Sequence, residues 1–183
     1  MKAENNYSLK KILQYSYTFL IFLMIIPTVY SIVILNIHTK KYDQIITNVS
    51  YANDINQIAK TTIPDELWDI VCGRKDFSQG NQYIMLNEIF SGIQAMKMNS
   101  KDSINQEKLE VAFRTCTTLS NNIKKLEQQI AKGYSVKENE AFLDDIRTIT
   151  ALFSDVMQDF IMSEISIANQ TNKSIKISSI TLT

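Results

Sequence analysis

Apolar residues in the second half of the chain recur at alternating spacings of three and four positions. One series consists of Leu109, Ala112, Cys116, Leu119, Ile123, Leu126 and Ile130. A later series consists of Phe142, Ile146, Ile149, Phe153, Val156 and Phe160. This spacing is typical of helices that pack nearly parallel to one another in a bundle or coiled coil. The pattern therefore predicts two long helices whose apolar lines face a common core.

Two weaker series precede these, and no segment alternates with a period of two, so the fold class is all-α. The weaker series are Ile45, Val49, Ala52, Ile55 and Ala59, and then Tyr83, Leu86, Phe90, Ile93 and Met96. Turn signals divide the helices: Gly73, the polar run 99–103, and Gly133 before the capping box of Ser135 and Glu138. Pro64 predicts an interruption of the first helix, because the residue before proline avoids helical geometry, and Pro64 is well suited to restart a helix in its first turn. These signals predict an antiparallel, up-down four-helix bundle with helices that end near Val71 and cover 78–98, 103–132 and 136–180.

The N-terminal part of the chain has a different character, because residues 12–37 contain no charged side chain. As a helix these 26 residues are about 39 Å long, which exceeds the roughly 30 Å hydrocarbon core of a bilayer. We expect a transmembrane helix that contacts lipid and continues into the bundle. A cleaved signal peptide would have a shorter apolar run and a small-residue cleavage site, and a buried soluble helix rarely lacks charge for so long.

The orientation of this helix depends on its flanking lysines. Lys2, Lys10 and Lys11 precede it and Lys40 and Lys41 follow it, so the positive-inside bias favours a cytoplasmic N-terminus only weakly. Because only 11 residues precede the span, we expect residues 1–11 to be a cytoplasmic tail. Residues 38–183 would then form the extracytoplasmic domain of a cell-membrane protein. The predicted helix lengths return the chain to the membrane near Thr183, where we expect a second span.

Composition excludes several classes of function. The 19 basic and 19 acidic residues give a formal net charge of zero, which argues against nucleic-acid binding. One histidine and two cysteines without ligand spacing predict no metal site and no cofactor. No nucleophile–base pair or phosphate-binding loop occurs, so we predict no catalytic residues in this segment.

One group of residues is a candidate ligand-binding site, near the turn predicted at Gly73. Asp65 and Asp69 lie close to Trp68, and Arg74 follows them. In the functional interpretation, Trp68 forms an apolar wall and Arg74 and Lys75 meet an anion. In the structural interpretation, which we favour, the acids stabilise a helix N-terminus through the helix dipole and Trp68 packs in the core.

Cys72 and Cys116 lie at similar heights in the predicted bundle, and a disulfide can form outside the cytoplasm. Cys116, however, occupies a core position of its helix, where a free cysteine packs as a small apolar side chain. The first and third helices are also diagonal in a simple up-down bundle. The sequence therefore favours two free thiols and leaves the disulfide open.

Several stretches carry a resemblance to a known family: 42–58, 64–71, Gly73 to Lys75, 142–147 and 156–161. They are similar to the sensor region of YesM-like membrane histidine kinases of Gram-positive bacteria, over most of residues 38–175. The resemblance implies an extracytoplasmic sensor, followed by a second span, a HAMP linker and a cytoplasmic kinase. It includes no catalytic motif, and the one histidine, His38, matches no phospho-accepting position.

Two functions of different classes remain. The first is the sensing module of a transmembrane two-component histidine kinase, in which a small molecule or an extracytoplasmic protein shifts the packed helices. The second is a membrane-tethered helical adaptor without signalling output. The heptad-like series and the resemblance also lead us to expect a homodimer.

Overall fold

The computed structural model describes residues 3–180, and the side chains of residues 10–173, and shows an all-helical protein. No strand occurs in the described part of the chain, which confirms the predicted fold class. The chain divides into two compact units, Met1–Tyr42 and Asp43–Thr183. The α-helices are α1 (Ala3–Gln57), α2 (Ile63–Val71), α3 (Gln82–Asn99), α4 (Ser103–Ala131) and α5 (Val136–Ile180).

The first unit contains the uncharged stretch of α1. Its large apolar side chains are exposed, as Phe22 at 59% and Leu23 at 57% illustrate. Among the described residues, one helix is long and apolar enough to cross a membrane, judged by its length and composition, and it lies near the N-terminus. This agrees with the prediction of one membrane-spanning helix near the N-terminus, and the bounds 12–37 stay a prediction.

The predicted interruption near Pro64 is present only as a change of helix type, since α1 ends at Gln57 and α2 begins at Ile63 but the backbone between them stays helical. Ile63 has φ −65° and ψ −50°, and Pro64 lies in the first turn of α2, as predicted. A proline cannot donate to the carbonyl four residues earlier, and its ring clashes with that carbonyl. A five-residue π-helical segment, Ile58–Thr62, absorbs this conflict, and the Ile63 N–H donates to the carbonyl of Ile58. The wider turn keeps the chain helical from α1 into α2.

The core of the second unit consists of apolar residues from all five helices. The predicted series on α4 is confirmed from Leu109 to Leu126, each residue being at most 1% exposed. The series on α5 is displaced by one position in part. Its fully buried line is Leu143, Ile146, Phe153, Met157 and Phe160, whereas Phe142, Ile149 and Val156 pack at its edge.

The predicted turns at Gly73 and Gly133 are confirmed. Both glycines have positive φ, +72° and +78°, and each follows a helix end. The Tyr134 N–H donates to the carbonyl of Gln129 at 3.2 Å, which closes α4 with a Schellman-type bond. At the start of α5 the predicted capping box is present, since the Ser135 N–H donates to Glu138 Oε2 at 2.8 Å. The hydrogen bond from the Ser135 hydroxyl, and after it the one from the Ser135 N–H, lower the pKa of Glu138 below its ordinary value.

Contacts between the helices fix their pairing within the second unit. Between α4 and α5, Lys108 Nζ donates to the carbonyl of Asp159 at 2.9 Å. Between α3 and α4, the Tyr83 hydroxyl donates to Glu127 Oε2 at 2.6 Å. On α3, Gly92 lies so near α1 that an added Cβ would come within 2.7 Å of Ile55 Cγ2. These contacts bring α1, α3, α4 and α5 around one core.

Candidate functional site

A cluster of buried polar side chains joins three helices of the second unit. It consists of Asn48 on α1, Asn105 on α4 and Glu164 on α5, which are 2%, 0% and 3% exposed. Asn105 Nδ2 donates to Glu164 Oε1 at 2.7 Å, and Asn48 Nδ2 approaches Glu164 Oε2 at 3.5 Å. We call these three residues the polar cluster. Through Glu164, these hydrogen bonds join side chains of α1, α4 and α5.

Each member of the polar cluster occupies a core position of its helix. Asn105 comes four residues before Leu109, and Asn48 comes four residues before Ala52. Glu164 continues the buried line of α5 four residues beyond Phe160. None of the three residues was among the candidates predicted from the sequence. The sequence does contain a signal for them. Each is a polar residue at a position where the helical spacing of three and four residues would otherwise place an apolar core residue.

The helix start on α4 sets the position of Asn105. Asp102 is the N-cap of α4, and its Oδ1 accepts hydrogen bonds from the N–H groups of Ile104 and Asn105, both at 3.0 Å. An aspartate at this position satisfies backbone donors that a helix start leaves unpaired. The cap therefore fixes the first turn of α4 and holds the Asn105 side chain against Glu164.

The polar cluster is costly to bury and is incompletely satisfied. A carboxyl group in a low-dielectric core needs hydrogen-bond donors, and two amides supply them to Glu164. The amide oxygens Asn48 Oδ1 and Asn105 Oδ1 nevertheless accept no hydrogen bond from the described residues. A buried acceptor without a donor costs about 1–3 kcal/mol. Such a cluster contributes little to the free energy of folding.

The candidate ligand-binding residues lie in and just after α2, where charged groups of the chain already pair. Arg74 Nη1 bonds to Asp69 Oδ1 at 3.0 Å, where the Arg74 side chain is exposed and the Asp69 side chain is half-buried. Asp65 is exposed at the start of α2. Trp68 is partly buried against the core, and the guanidinium of Arg147 lies 5.7 Å from the centre of its ring. An anion that bound Arg74 would compete with Asp69, and ligand binding here stays a prediction.

The neighbouring charges of this turn are also paired. Lys75 bonds to Glu66, and the Asn81 N–H donates to Glu66 Oε1 at 2.9 Å. The hydrogen bond from the Lys75 ammonium is the main reason that the pKa of Glu66 lies below its ordinary value. The contacts of Glu66 therefore tie α2 to the start of α3, which is a structural role.

Cys72 and Cys116 are free thiols in this structure, so the disulfide that the sequence left open is not formed. Cys116 is 0% exposed within the α4 line of the core, as its spacing predicted. Burial raises the pKa of its thiol to about 12, which keeps it protonated and unreactive at neutral pH. Cys72 is partly exposed at the end of α2.

No protein-family model, no curated protein and no solved structure matches this chain. The resemblance to the YesM-like sensor region is not tested by these comparisons and stays a prediction. Within the described residues, no group of three or more histidine, cysteine, aspartate or glutamate side chains is arranged to hold a metal ion. The polar cluster is joined to the uncharged stretch 12–37 by α1, which contains both that stretch and Asn48.

Proposed function

We propose that this chain is the extracytoplasmic sensing module of a transmembrane two-component sensor histidine kinase. One observation carries the proposal: α1 contains both the uncharged stretch 12–37 and Asn48 of the polar cluster. Asn48 meets Glu164 of α5, which also bonds to Asn105 of α4. A change in the packing of α4 and α5 would therefore act on the helix that we propose crosses the membrane. The stimulus would be a small molecule or an extracytoplasmic protein.

The proposal includes an antiparallel, up-down arrangement of the long helices. Two hydrogen bonds between α4 and α5 support it. Asn105 of α4 bonds to Glu164 of α5. Lys108, three residues after Asn105, bonds to Asp159, which lies five residues before Glu164. The residue numbers rise on one helix as they fall on the other. The turn that joins these helices, residues 132–135, is also short, as antiparallel neighbours require.

The incomplete satisfaction of the polar cluster supports a switching role. A fully satisfied network favours one arrangement strongly, whereas buried acceptors without donors reduce the free-energy advantage of the observed arrangement over others. A rotation of either amide, or a small shift of α5, would exchange one set of hydrogen bonds for another. Since Asn48 belongs to α1, each set corresponds to a different position of α1 against α5.

The distance between α1 and α5 tests this role. Spin labels at Asn53→Cys on α1 and Gln158→Cys on α5, both exposed positions, would be attached to the full chain with Cys72→Ser in lipid nanodiscs. We expect more than one distance population, and we expect Asn105→Leu to change their proportions, because it removes a donor of the cluster. The measurement is pulsed electron paramagnetic resonance.

Asn121→Leu is the matched control, since it makes the same change at an exposed position of α4. We expect it to leave the distance distribution unaltered. One narrow population that is identical in the parent chain and in Asn105→Leu would contradict the sensor proposal. That result would favour the membrane-tethered adaptor, which needs only one packing of its helices.

The extracytoplasmic location gives a separate prediction that uses the native cysteines. In intact cells, a membrane-impermeant maleimide is expected to label the partly exposed Cys72, and Cys72→Ser is expected to abolish labelling. Cys116 is expected to react only after unfolding, because it is fully buried. Labelling of Cys72 that required cell lysis would place the second unit in the cytoplasm and refute the proposed location.

A further inference from the structure

A groove between α4 and α5 leaves apolar side chains uncovered on the surface of the second unit. It encloses about 270 Å³ and is lined by Ile104, Glu107, Lys108, Val111, Val156 and Asp159. Ile104 is 61% exposed and Val111 44% exposed, and Leu152, which precedes Val156 by one turn of α5, is 55% exposed. Aliphatic side chains grouped in this way on two adjacent helices form a surface that a partner could cover.

The rim of this groove is acidic. Glu107 and Asp159 line it, and Asp155 lies one helical turn before Asp159 on the same face of α5. None of these three carboxylates forms an ion pair or accepts a side-chain hydrogen bond within the described residues. Lys108 also lines the groove, and its ammonium donates to the backbone carbonyl of Asp159 at 2.9 Å. The groove therefore offers negative charge around an apolar floor.

We infer that this groove binds a segment of an extracytoplasmic partner protein that presents an aliphatic side chain between lysine or arginine residues. The aliphatic side chain would cover Ile104, Val111 and Val156, and the flanking cations would meet the unpaired carboxylates of the rim. Electrostatic complementarity of this kind favours encounter with basic segments and disfavours acidic ones. A second copy of this chain fits the rim less well, because two such grooves face to face would bring like charges together.

The location of the groove relates it to the polar cluster, and in this respect the inference rests on the proposed sensor function. Ile104 is adjacent to Asn105, and Asp159 lies five residues before Glu164 on α5. A side chain inserted between α4 and α5 would alter the spacing of the two helices that hold Asn105 and Glu164. Binding at the groove would thus change the hydrogen bonds that connect α4 and α5 to α1.

The test uses a short fluorescein-labelled helical peptide of leucine and lysine, with a leucine–glutamate peptide of the same pattern beside it. Fluorescence anisotropy would measure binding to the full chain in phosphatidylcholine nanodiscs, with empty nanodiscs as the blank. We expect the leucine–lysine peptide to bind and the leucine–glutamate peptide not to bind. We expect Glu107→Gln, Asp155→Asn and Asp159→Asn together to weaken binding by about tenfold, as three rim ion pairs of modest strength would.

Matched variants separate the groove from the general charge of the chain. Asp54→Asn, Glu140→Gln and Asp145→Asn remove three exposed carboxylates elsewhere, and we expect binding to stay within about twofold of the parent. Ile104→Ser is expected to weaken binding by about tenfold, and Ile84→Ser, at a site 66% exposed on α3, is expected to have no effect.

Three outcomes would overturn the inference. The first is that both sets of carboxylate variants weaken binding of the lysine peptide equally. The second is that the glutamate peptide binds as tightly as the lysine peptide. The third is that the chain forms a dimer which the groove variants dissociate, because a second copy would then be the occupant. The sensor proposal can fail separately. The peptide could bind the groove while Asn105→Leu leaves the distance between α1 and α5 unaltered. That result would support the groove as a docking surface and would contradict its link to signalling.

Discussion

Phe153→Ala is expected to lower the free energy of unfolding of the second unit by about 3–5 kcal/mol. Phe153 is 0% exposed and is among the largest fully buried side chains of the core. Its removal forfeits the transfer of an aromatic ring out of water and leaves a cavity that packed helices fill only in part. Denaturant titration of the full chain in detergent, followed by the fluorescence of Trp68, the single tryptophan, would measure the change.

The preceding residue provides the control for this prediction. Leu152→Ala removes a large apolar side chain from the same turn of α5, but Leu152 is 55% exposed. We expect its effect to be within about 0.5 kcal/mol of zero, as for most surface substitutions. Equal losses for the two variants would mean that α5 does not direct Phe153 into the core as the structure describes.

Much of the fold could be predicted because helix-forming signals are local. The bounds of α4 and α5 were predicted to within one residue at each end, since Gly133 and the Ser135 capping box mark the turn between them. The buried residues of α4 could be predicted from their spacing because the apolar residues of this helix occupy one narrow stripe. On α5 the apolar face is broader, so two series of apolar residues fit the same spacing. The predicted series starts at Phe142, whereas the residues that are fully buried form the series that starts at Leu143.

The errors arose where distant packing overrides a local rule. At Pro64 the local rule predicts a break, yet Ile63 and Pro64 are both buried in the core. Burial of these side chains favours continuation of the helix, and the π-helical segment before them accommodates the missing hydrogen bond. The sequence shows the proline, but it does not show which of the two effects is larger.

The candidate site was the least predictable part of the molecule. The residues around Trp68 attracted attention because their charges adjoin in sequence, and the structure pairs Asp69 with Arg74 nearby. Asn105 and Glu164 are 59 residues apart, and Asn48 is 116 residues from Glu164. A polar residue in a helix is ordinarily interpreted as solvated, and only its helical phase indicated burial. The sequence could place each of them on a core face, but it could not show that they meet.

Single and combined substitutions in the polar cluster are expected to have opposite effects on the stability of the second unit. Asn105→Leu removes the donor that lies 2.7 Å from Glu164 Oε1, and we expect it to destabilise the second unit by about 1–3 kcal/mol. The combination Asn48→Leu, Asn105→Leu and Glu164→Met replaces all three polar groups with apolar ones. We expect it to be at least as stable as the parent chain, since well-packed apolar side chains often replace a buried cluster of polar groups without loss of stability.

The same titration of Trp68 fluorescence measures both variants, and Asn121→Leu, at an exposed position of α4, controls for the change of side chain. If the triple variant were less stable than Asn105→Leu, the cluster would be a source of stability and its retention would need no functional reason. If the reversal is found, selection for stability alone would favour apolar residues at these positions. A less stable cluster that joins α1 to α4 and α5 is then best explained by the alternative packings that it permits, which is the property that a sensor requires.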